Sequence, residues 1–503
     1  MAFDITITVT YFAFLLGFGV LIANLLKKRK IPDSFFLLLL GLVLGPTVFM
    51  NPVVTQYVHL TLVDVSAMGT VPNFLRTLAI ILIVFVGMFN LKLKVFKRFS
   101  DVSVNLAIVG VIFNTVFIGL VAHLMFGLNP VYALLMGAAI SGTGTDVLST
   151  FKDSLSKFKK SVTIMNVESI FNSPFAAIFV LLFLGMVTIE PGALFQPMKY
   201  ASQLWLMIVA GVGAGVIIGL AVSKIMKTML REYSSLILFS IALITYALAE
   251  NVGGSGILAV AVCGLVSGNI SFPENHREDI NKFEGQLSEM LRISVFTLLG
   301  AQVMLLFDAG QFLMGFAFFL IVFLARPVFL IPTLGKRRKN LAKRDIIVMS
   351  FIAPKGDSET ALAPLVAATI AGTGAIGAAA TGNQIMNIMF IVILLSILFS
   401  TVVALLMSNK KIQTVADNWL KKREEKRKRE IEEASVHKDD GEEYVPISEE
   451  HAEQDVSKKK PKPRKNIEPK QIESRPQKPK RKPGPKEKPK KPEETDKEEY
   501  SGS

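Results

Sequence analysis

The hardest constraint on this chain is a glutamate in a stretch with the length and apolarity of a membrane span. The run 160–187, KSVTIMNVESIFNSPFAAIFVLLFLGMV, is long enough to cross a bilayer, which takes about 20 apolar residues. Yet its first half carries Glu168, Ser169, Asn172, Ser173 and Pro174. On a helix Glu168 and Asn172 are four apart and share one face. A carboxylate at this depth is costly unless it is paired or wetted. Glu168 therefore marks a functional site, and its partner must come from elsewhere in the chain.

Composition supports a membrane setting. Of 503 residues 51% are hydrophobic, and the mean hydropathy of +0.46 excludes a soluble globular domain. A single cysteine, Cys263, sits in an apolar run, so neither a disulfide nor a cysteine metal site is available, and it is expected to pack. The five histidines show no ligand spacing. No nucleophile–base pair, phosphate loop or metal cluster appears, so an enzyme and a bound cofactor are not expected. The first apolar run, about 5–26, lacks a basic leader and is followed by KKRK, so it reads as a first membrane helix rather than a cleaved signal.

Thirteen spans are predicted, at about 5–26, 32–50, 72–90, 102–126, 130–150, 161–187, 201–223, 233–250, 253–270, 289–307, 311–334, 345–371 and 384–408. Basic clusters follow spans one, three, five, seven, nine and eleven, among them KKRK, KDSLSKFKK, ENHREDINK and GKRRKNLAKR. The alternate loops are nearly free of Lys and Arg, with Arg76 and Lys199 as exceptions. That alternation places the N-terminus outside and the C-terminus in the cytoplasm. Beyond residue 408 the chain turns polar: 409–435 reads as a charged cytoplasmic helix. The segment 436–503 is rich in Lys, Pro and Glu and reads as disordered. Such a basic tail is expected to contact anionic lipid, and without interleaved aromatics it does not point to nucleic acid.

Two spans are interrupted. The fifth contains Gly142, Thr143, Gly144, Thr145 and Asp146 within its hydrophobic length, and the twelfth contains Pro354, Lys355, Gly356, Asp357, Ser358 and Glu359. Proline and glycine seldom leave a helix intact, and unwound backbone at membrane depth survives where it lines a cavity or is buried in protein. Interrupted spans at corresponding places in two halves point to a transport site at the midplane. Spans four to six and eleven to thirteen then form inverted halves of one core bundle, with the broken ends crossing. The eleventh span places Arg326 inside IVFLARPVFLIP, where its permanent charge needs a partner. Glu168 is the obvious one.

These residues resemble a known family. Glu168-Ser169-Ile170-Phe171-Asn172, Thr145-Asp146, Ala325-Arg326-Pro327 and Ala353-Pro354-Lys355-Gly356 occur in the order and on the spans of the cation:proton antiporter superfamily, in its NhaP-type sodium/proton exchanger branch. The resemblance covers about 1–408. It implies an all-α homodimer in which a moving core, about 102–187 and 311–408, shifts against a dimerisation part, about 1–90 and 201–307. It implies that Thr145, Asp146, Glu168, Ser169 and Asn172 line the ion site, that Arg326 pairs with Glu168, and that Lys355, which stands where the family usually has Arg, joins that structural ion pair. A Na⁺ ion is then expected at Asp146, Asn172 and Ser173.

One departure matters. The family typically has Asp directly after the Asn of span six, where this chain has Ser173. A serine hydroxyl can ligate Na⁺ but cannot release a proton near neutral pH. Three readings follow. Asp357 or Glu359 takes over the exchange, at a depth where loss of water suits a carboxyl that carries a proton. Alternatively Asp146 or Glu168 does so, or proton coupling is lost and the protein is a channel-like or sensory membrane protein. Asp357 and Glu359 could also simply neutralise Lys355. The expected function is exchange of Na⁺, or Li⁺, for protons in a cell membrane, with K⁺/H⁺ exchange as the alternative. Asn114 and Gln302 read as inter-helix hydrogen bonds, the glycines of 210–220 as close helix packing, Tyr246 and Glu250 as lipid or water contacts, and His276 as a solvated loop residue that could sense pH.

Overall fold

The computed structural model describes residues 5–29, 31–46, 63–187, 197–228, 233–269, 274–303, 309–335, 341–373 and 377–409. The predicted tail 436–503 and nearly all of the predicted charged helix 409–435 lie outside the described residues.

Helices stand at each of the thirteen predicted places. Strands are absent among the described residues. The helices are α1 (Ile5–Lys28), α2 (Ser34–Leu44), α3 (Val71–Phe89) and α4 (Leu93–Phe126). The fifth place holds two pieces, α5 (Pro130–Ala139) and α6 (Asp146–Thr150). Then come α7 (Lys159–Val187), α8 (Pro197–Thr228), α9 (Ser234–Asn251), α10 (Gly256–Gly268), α11 (Glu274–Gln302) and α12 (Ala309–Leu334). The twelfth place is again split, into α13 (Lys343–Phe351) and α14 (Asp357–Ala371), and α15 (Ala378–Ser408) follows. Among the described residues, eight helices or helical stretches are long and apolar enough to cross a membrane, and three apolar ones are shorter. Length and composition alone thus account for fewer than thirteen spans.

The two breaks fall where glycine and proline predict them. α5 ends at Ala139 and α6 begins at Asp146; α13 ends at Phe351 and α14 begins at Asp357. The two unwound segments cross and touch through backbone. Gly144 N donates to Pro354 O at 2.7 Å. A Cβ built on Gly144 would collide with Gly356 Cα, and one built on Gly356 with Gly144 Cα. Only glycine permits that approach.

Freed backbone groups at the first break find partners. Asn114 Nδ2 on α4 donates to Ser141 O at 2.9 Å, and Lys355 Nζ donates to Gly142 O at 2.9 Å. These two carbonyls therefore do not face a cavity as free ligands. Around the crossing, Phe319 and Phe323 of α12 pack on Phe399 of α15, and Phe323 on Phe351 of α13. Three glycines of α8, Gly211, Gly215 and Gly219, do pack closely on α10 and its start: a Cβ at Gly211 would meet Ser255 O and one at Gly215 Ala259 O. Cys263 is buried and takes a contact from Thr245, as expected of a packing residue.

Three smaller expectations are corrected. Arg76 is no loop residue: it is buried on α3, where it bonds Asn73 and Gln302, and Gln302 is the inter-helix hydrogen bond expected of it. Glu250 does more than meet lipid or water, since it accepts from Gly256 N at 2.7 Å and caps α10, whose first amides otherwise lack partners. The stretch around His276 is not a loop but the first turn of α11.

The glycine contact generates a test. Gly356→Val forces a branched side chain into the Gly144 backbone, and overpacking of this kind costs about 1–3 kcal/mol. A lowered melting temperature of the detergent-purified protein is expected for Gly356→Val, and no change for the same substitution at Gly213, where a Cβ meets open space.

Candidate functional site

Four elements supply the site. α7 carries Glu168, Ser169, Asn172 and Ser173; the first break carries Thr143 to Asp146; α12 carries Arg326; the second break and α14 carry Lys355 to Glu359.

The predicted ion pair is present. Arg326 Nη2 donates to Glu168 Oε2 at 3.0 Å, and Arg326 Nε donates to Met349 O at 2.8 Å. Both side chains are buried, at 7% and 3% exposed. Lys355 does not join them: its ammonium goes to Gly142 O and its backbone amide to Ser396 Oγ, at 2.9 Å each. An ammonium at the carbonyl end of α5 opposes the negative pole of that helix.

Behind the crossing runs a chain of hydroxyls and amides. Asn172 Nδ2 donates to Thr143 Oγ1 at 2.8 Å, and Thr143 Oγ1 lies 3.2 Å from Ser169 Oγ. Ser173 Oγ donates to Ser169 O at 3.2 Å and lies 3.1 Å from Ser358 Oγ. Glu359 is fully buried; its Oε2 accepts from Gly356 N at 2.7 Å, and its Oε1 has no partner. Asn172 Oδ1 has none either. Both orphaned oxygens face the same point beside Gly142, where a Cβ would meet each of them. Two acceptors aimed at one point call for a proton or a cation between them.

The carboxylates that meet open space are others. A cavity of about 510 Å³ is lined by Asp33, Thr145, Asp146, Glu289, Arg292 and Asp357, with Lys27 at the end of α1. Its walls hold four carboxylates against two cations, a balance that draws positive charge. A second cavity of about 80 Å³ joins Thr145 and Asp357 to Ser169, Ser173 and Ser358. Asp357 thus lines both, and its Oδ1 has no hydrogen-bond partner. The expected Na⁺ set is not brought to one place: Asp146 lines the larger cavity, Ser173 the smaller, and Asn172 neither.

Asp146 is held from a side that sequence reasoning missed. Ser34 Oγ, at the start of α2, donates to Asp146 Oδ2 at 2.7 Å, and Arg292 Nη1 donates to Ser34 Oγ at 3.1 Å. The rest of the Arg292 guanidinium goes to Asp33 at 2.7 Å and, through two bonds of 2.8 and 2.9 Å, to Glu289. The one signal in the sequence is the Glu289–Arg292 spacing of three at the head of an apolar span, which places both on one helix face.

The chain matches the family model for sodium/hydrogen exchangers, transmembrane, over residues 12–408. A relative described as probable Na(+)/H(+) antiporter 2 of Methanocaldococcus jannaschii is 28% identical, over 72% of this chain and 85% of its own length. A K(+)/H(+) antiporter NhaP2 of a Shewanella species is 26% identical over 44% of this chain and 39% of its own. The solved structure of the sodium proton antiporter MjNhaP1 from Methanocaldococcus jannaschii superposes with a TM-score of 0.68 at 21% identity, covering 81% of this chain and 99% of that one. That likeness shows the fold alone.

Removing one member of a buried ion pair leaves the other uncompensated, at a cost of about 3–5 kcal/mol. Arg326→Ala is therefore expected to lower the melting temperature of the purified protein sharply. The double change Glu168→Leu with Arg326→Met, which removes both charges, should recover most of the loss.

Proposed function

The chain belongs to the family of transmembrane sodium/hydrogen exchangers, and we propose that it exchanges Na⁺ for protons by alternating access, with Asp357 and Asp146 as the exchanging carboxylates. The observation that carries this reading is the shared cavity: Asp357 and Asp146 line one space of about 510 Å³, with Thr145 beside them. A carboxylate that binds either a cation or a proton, and not both, couples the two flows.

Ser173 cannot hold the exchangeable proton, but it lies 3.1 Å from Ser358 Oγ, and the neighbouring Asp357 lines the same small cavity. The carboxylate is then supplied from α14 across the gap rather than from α7. Hard oxygen ligands from Asp357, Asp146 and Thr145 suit Na⁺ or Li⁺, as do the hydroxyls of Ser169 and Ser173 next to them. Glu359, closed off with an orphaned oxygen opposite Asn172, holds a proton in this proposal and stabilises the break. Arg326 with Glu168 is structural, and Lys355 neutralises the end of α5.

The remaining expectations belong to the same proposal: a homodimer in a cell membrane, N-terminus outside, tail inside and drawn to anionic lipid, with the core of 102–187 and 311–408 moving against the rest. K⁺/H⁺ exchange is the second reading, favoured by the NhaP2 relative. Against a channel-like or sensory role stand Asp146 and Asp357, two carboxylates that line the large cavity where Ser173 does not.

Sealed vesicles holding the purified protein test the proposal. A pH gradient is imposed, and Na⁺, Li⁺ or K⁺ is added. Na⁺ is expected to collapse the gradient in the wild type, Asp357→Asn to abolish that response, and Glu359→Gln to leave part of it. Full exchange by Asp357→Asn would move the role to Asp146 or Glu168. A wild type in which no cation moves protons would end the antiport reading.

A further inference from the structure

Glu284 has no part in the site above. It lies on α11, two turns before Arg292, and is 1% exposed. Neither of its carboxylate oxygens has a hydrogen-bond partner. The same is true of Asn281 Oδ1, one turn before it, and of Ser288 Oγ, one turn after it. Residues three and four apart are neighbours on a helix face, so Glu284 sits between two side chains whose buried oxygens are also unpaired. The carboxylate and amide oxygens only accept; the Ser288 hydroxyl can also donate, but it reaches neither oxygen of Glu284.

Among the described residues no charge compensates it. Its own helix carries Glu274, His276, Arg277, Glu278, Asp279, Lys282, Glu289 and Arg292; Arg277 lies over Phe89, Lys282 pairs with Glu278, and Arg292 is taken by Asp33 and Glu289. The elements packed on α11 are α1, α2, α3, α9, α14 and the short turn Val65–Met68. They contribute Lys27 and Lys28, Asp33, Arg76, Tyr246 with Glu250, Asp357 with Glu359, and Asp64 at the turn. None of these bonds to Glu284. An ionised carboxylate left buried and unpaired costs several kcal/mol, and a proton removes that cost while supplying the missing donor.

We propose that Glu284, between Asn281 and Ser288, is a proton-binding site separate from the transport carboxylates, one that reaches the ion cavity through Ser288 and acts on Asp146 through Arg292. Ser288 lines the large cavity, which gives the proton a route to water. The next turn carries Arg292, whose bond to Ser34 in turn holds Asp146. Loss of the proton places a negative charge about 12 Å along the helix from Arg292, where it acts on the guanidinium through its field and not as a hydrogen-bond acceptor. The proton site stands on the geometry of α11 alone; its effect on exchange rests on the reading under Proposed function.

The experiment is infrared difference spectroscopy on the full chain in phosphatidylcholine–phosphatidylglycerol vesicles, stepped from acid to alkaline buffer. The background is Asp146→Asn with Asp357→Asn and Glu359→Gln, so that neither the transport carboxylates nor the buried carboxyl of the second break contributes a band. A protonated-carboxyl C=O band that is lost on alkalinisation is expected in the parent and absent from Glu284→Gln. Glu284→Leu, which suits an apolar interior, reads the same result should the glutamine variant not fold. An unchanged band in both variants overturns the site. Na⁺ added at acid pH should leave the band in place; its removal by Na⁺ would make this a cation site and overturn the assignment to the proton. The effect on transport is read separately, as Na⁺-driven proton flux against pH with Asp146 and Asp357 intact. A profile flattened by Glu284→Gln supports the coupling, and an unaltered profile removes it while leaving the infrared result intact.

Discussion

The buried pair of Glu168 and Arg326 is the interaction on which the interior depends. Charges this far from water are tolerated only when geometry is good and spare hydrogen-bonding capacity is used. Here Arg326 gives one arm to Glu168 and another to Met349 O. The pair therefore fixes α7 to α12 and to the end of α13. α7 carries Ser169, Asn172 and Ser173 into the site, and α13 leads into the second break. A slip in the pairing would shift both walls of the site together.

Much of this was legible because polar groups are expensive in a membrane. Glu168 and Arg326 stand out against apolar runs, and the two interruptions announce themselves through Gly142, Gly144, Pro354 and Gly356. The Asp33–Ser34–Arg292–Glu289 cluster did not stand out. Its residues fall at span ends, where charge reads as contact with water. The polar stretch ahead of residue 289 reads as a cytoplasmic loop, yet α11 begins at Glu274 and buries Glu284. Lys355 was expected beside the ion pair and instead serves a backbone carbonyl. Side-chain patterns do not reveal which carbonyls an unwound segment will free, so that partner could not be read in advance.

The replacement of the usual aspartate by Ser173 illustrates what a site of this kind requires. A cation responds to where oxygens and charges lie, and not to which helix they come from. The hydroxyls of Ser173 and Ser358 meet across the gap between α7 and α14, so the two helices are close enough for a carboxylate from either to reach the same space. On the proposed reading, the chain keeps its chemistry while moving its charge by one helix.

The backbone contact between Gly144 and Gly356 has a mechanical consequence. With Gly144 N bonded to Pro354 O and no side chain between the two α-carbons, the breaks have no slack. Pulling them apart would strand an amide and a carbonyl in a place without water. The crossing is thus a rivet rather than a hinge. On the proposed reading, in which a core moves to expose the ion to the opposite side, both broken helices travel as one rigid piece, and the sliding surface lies at the rim of that piece, not at its centre.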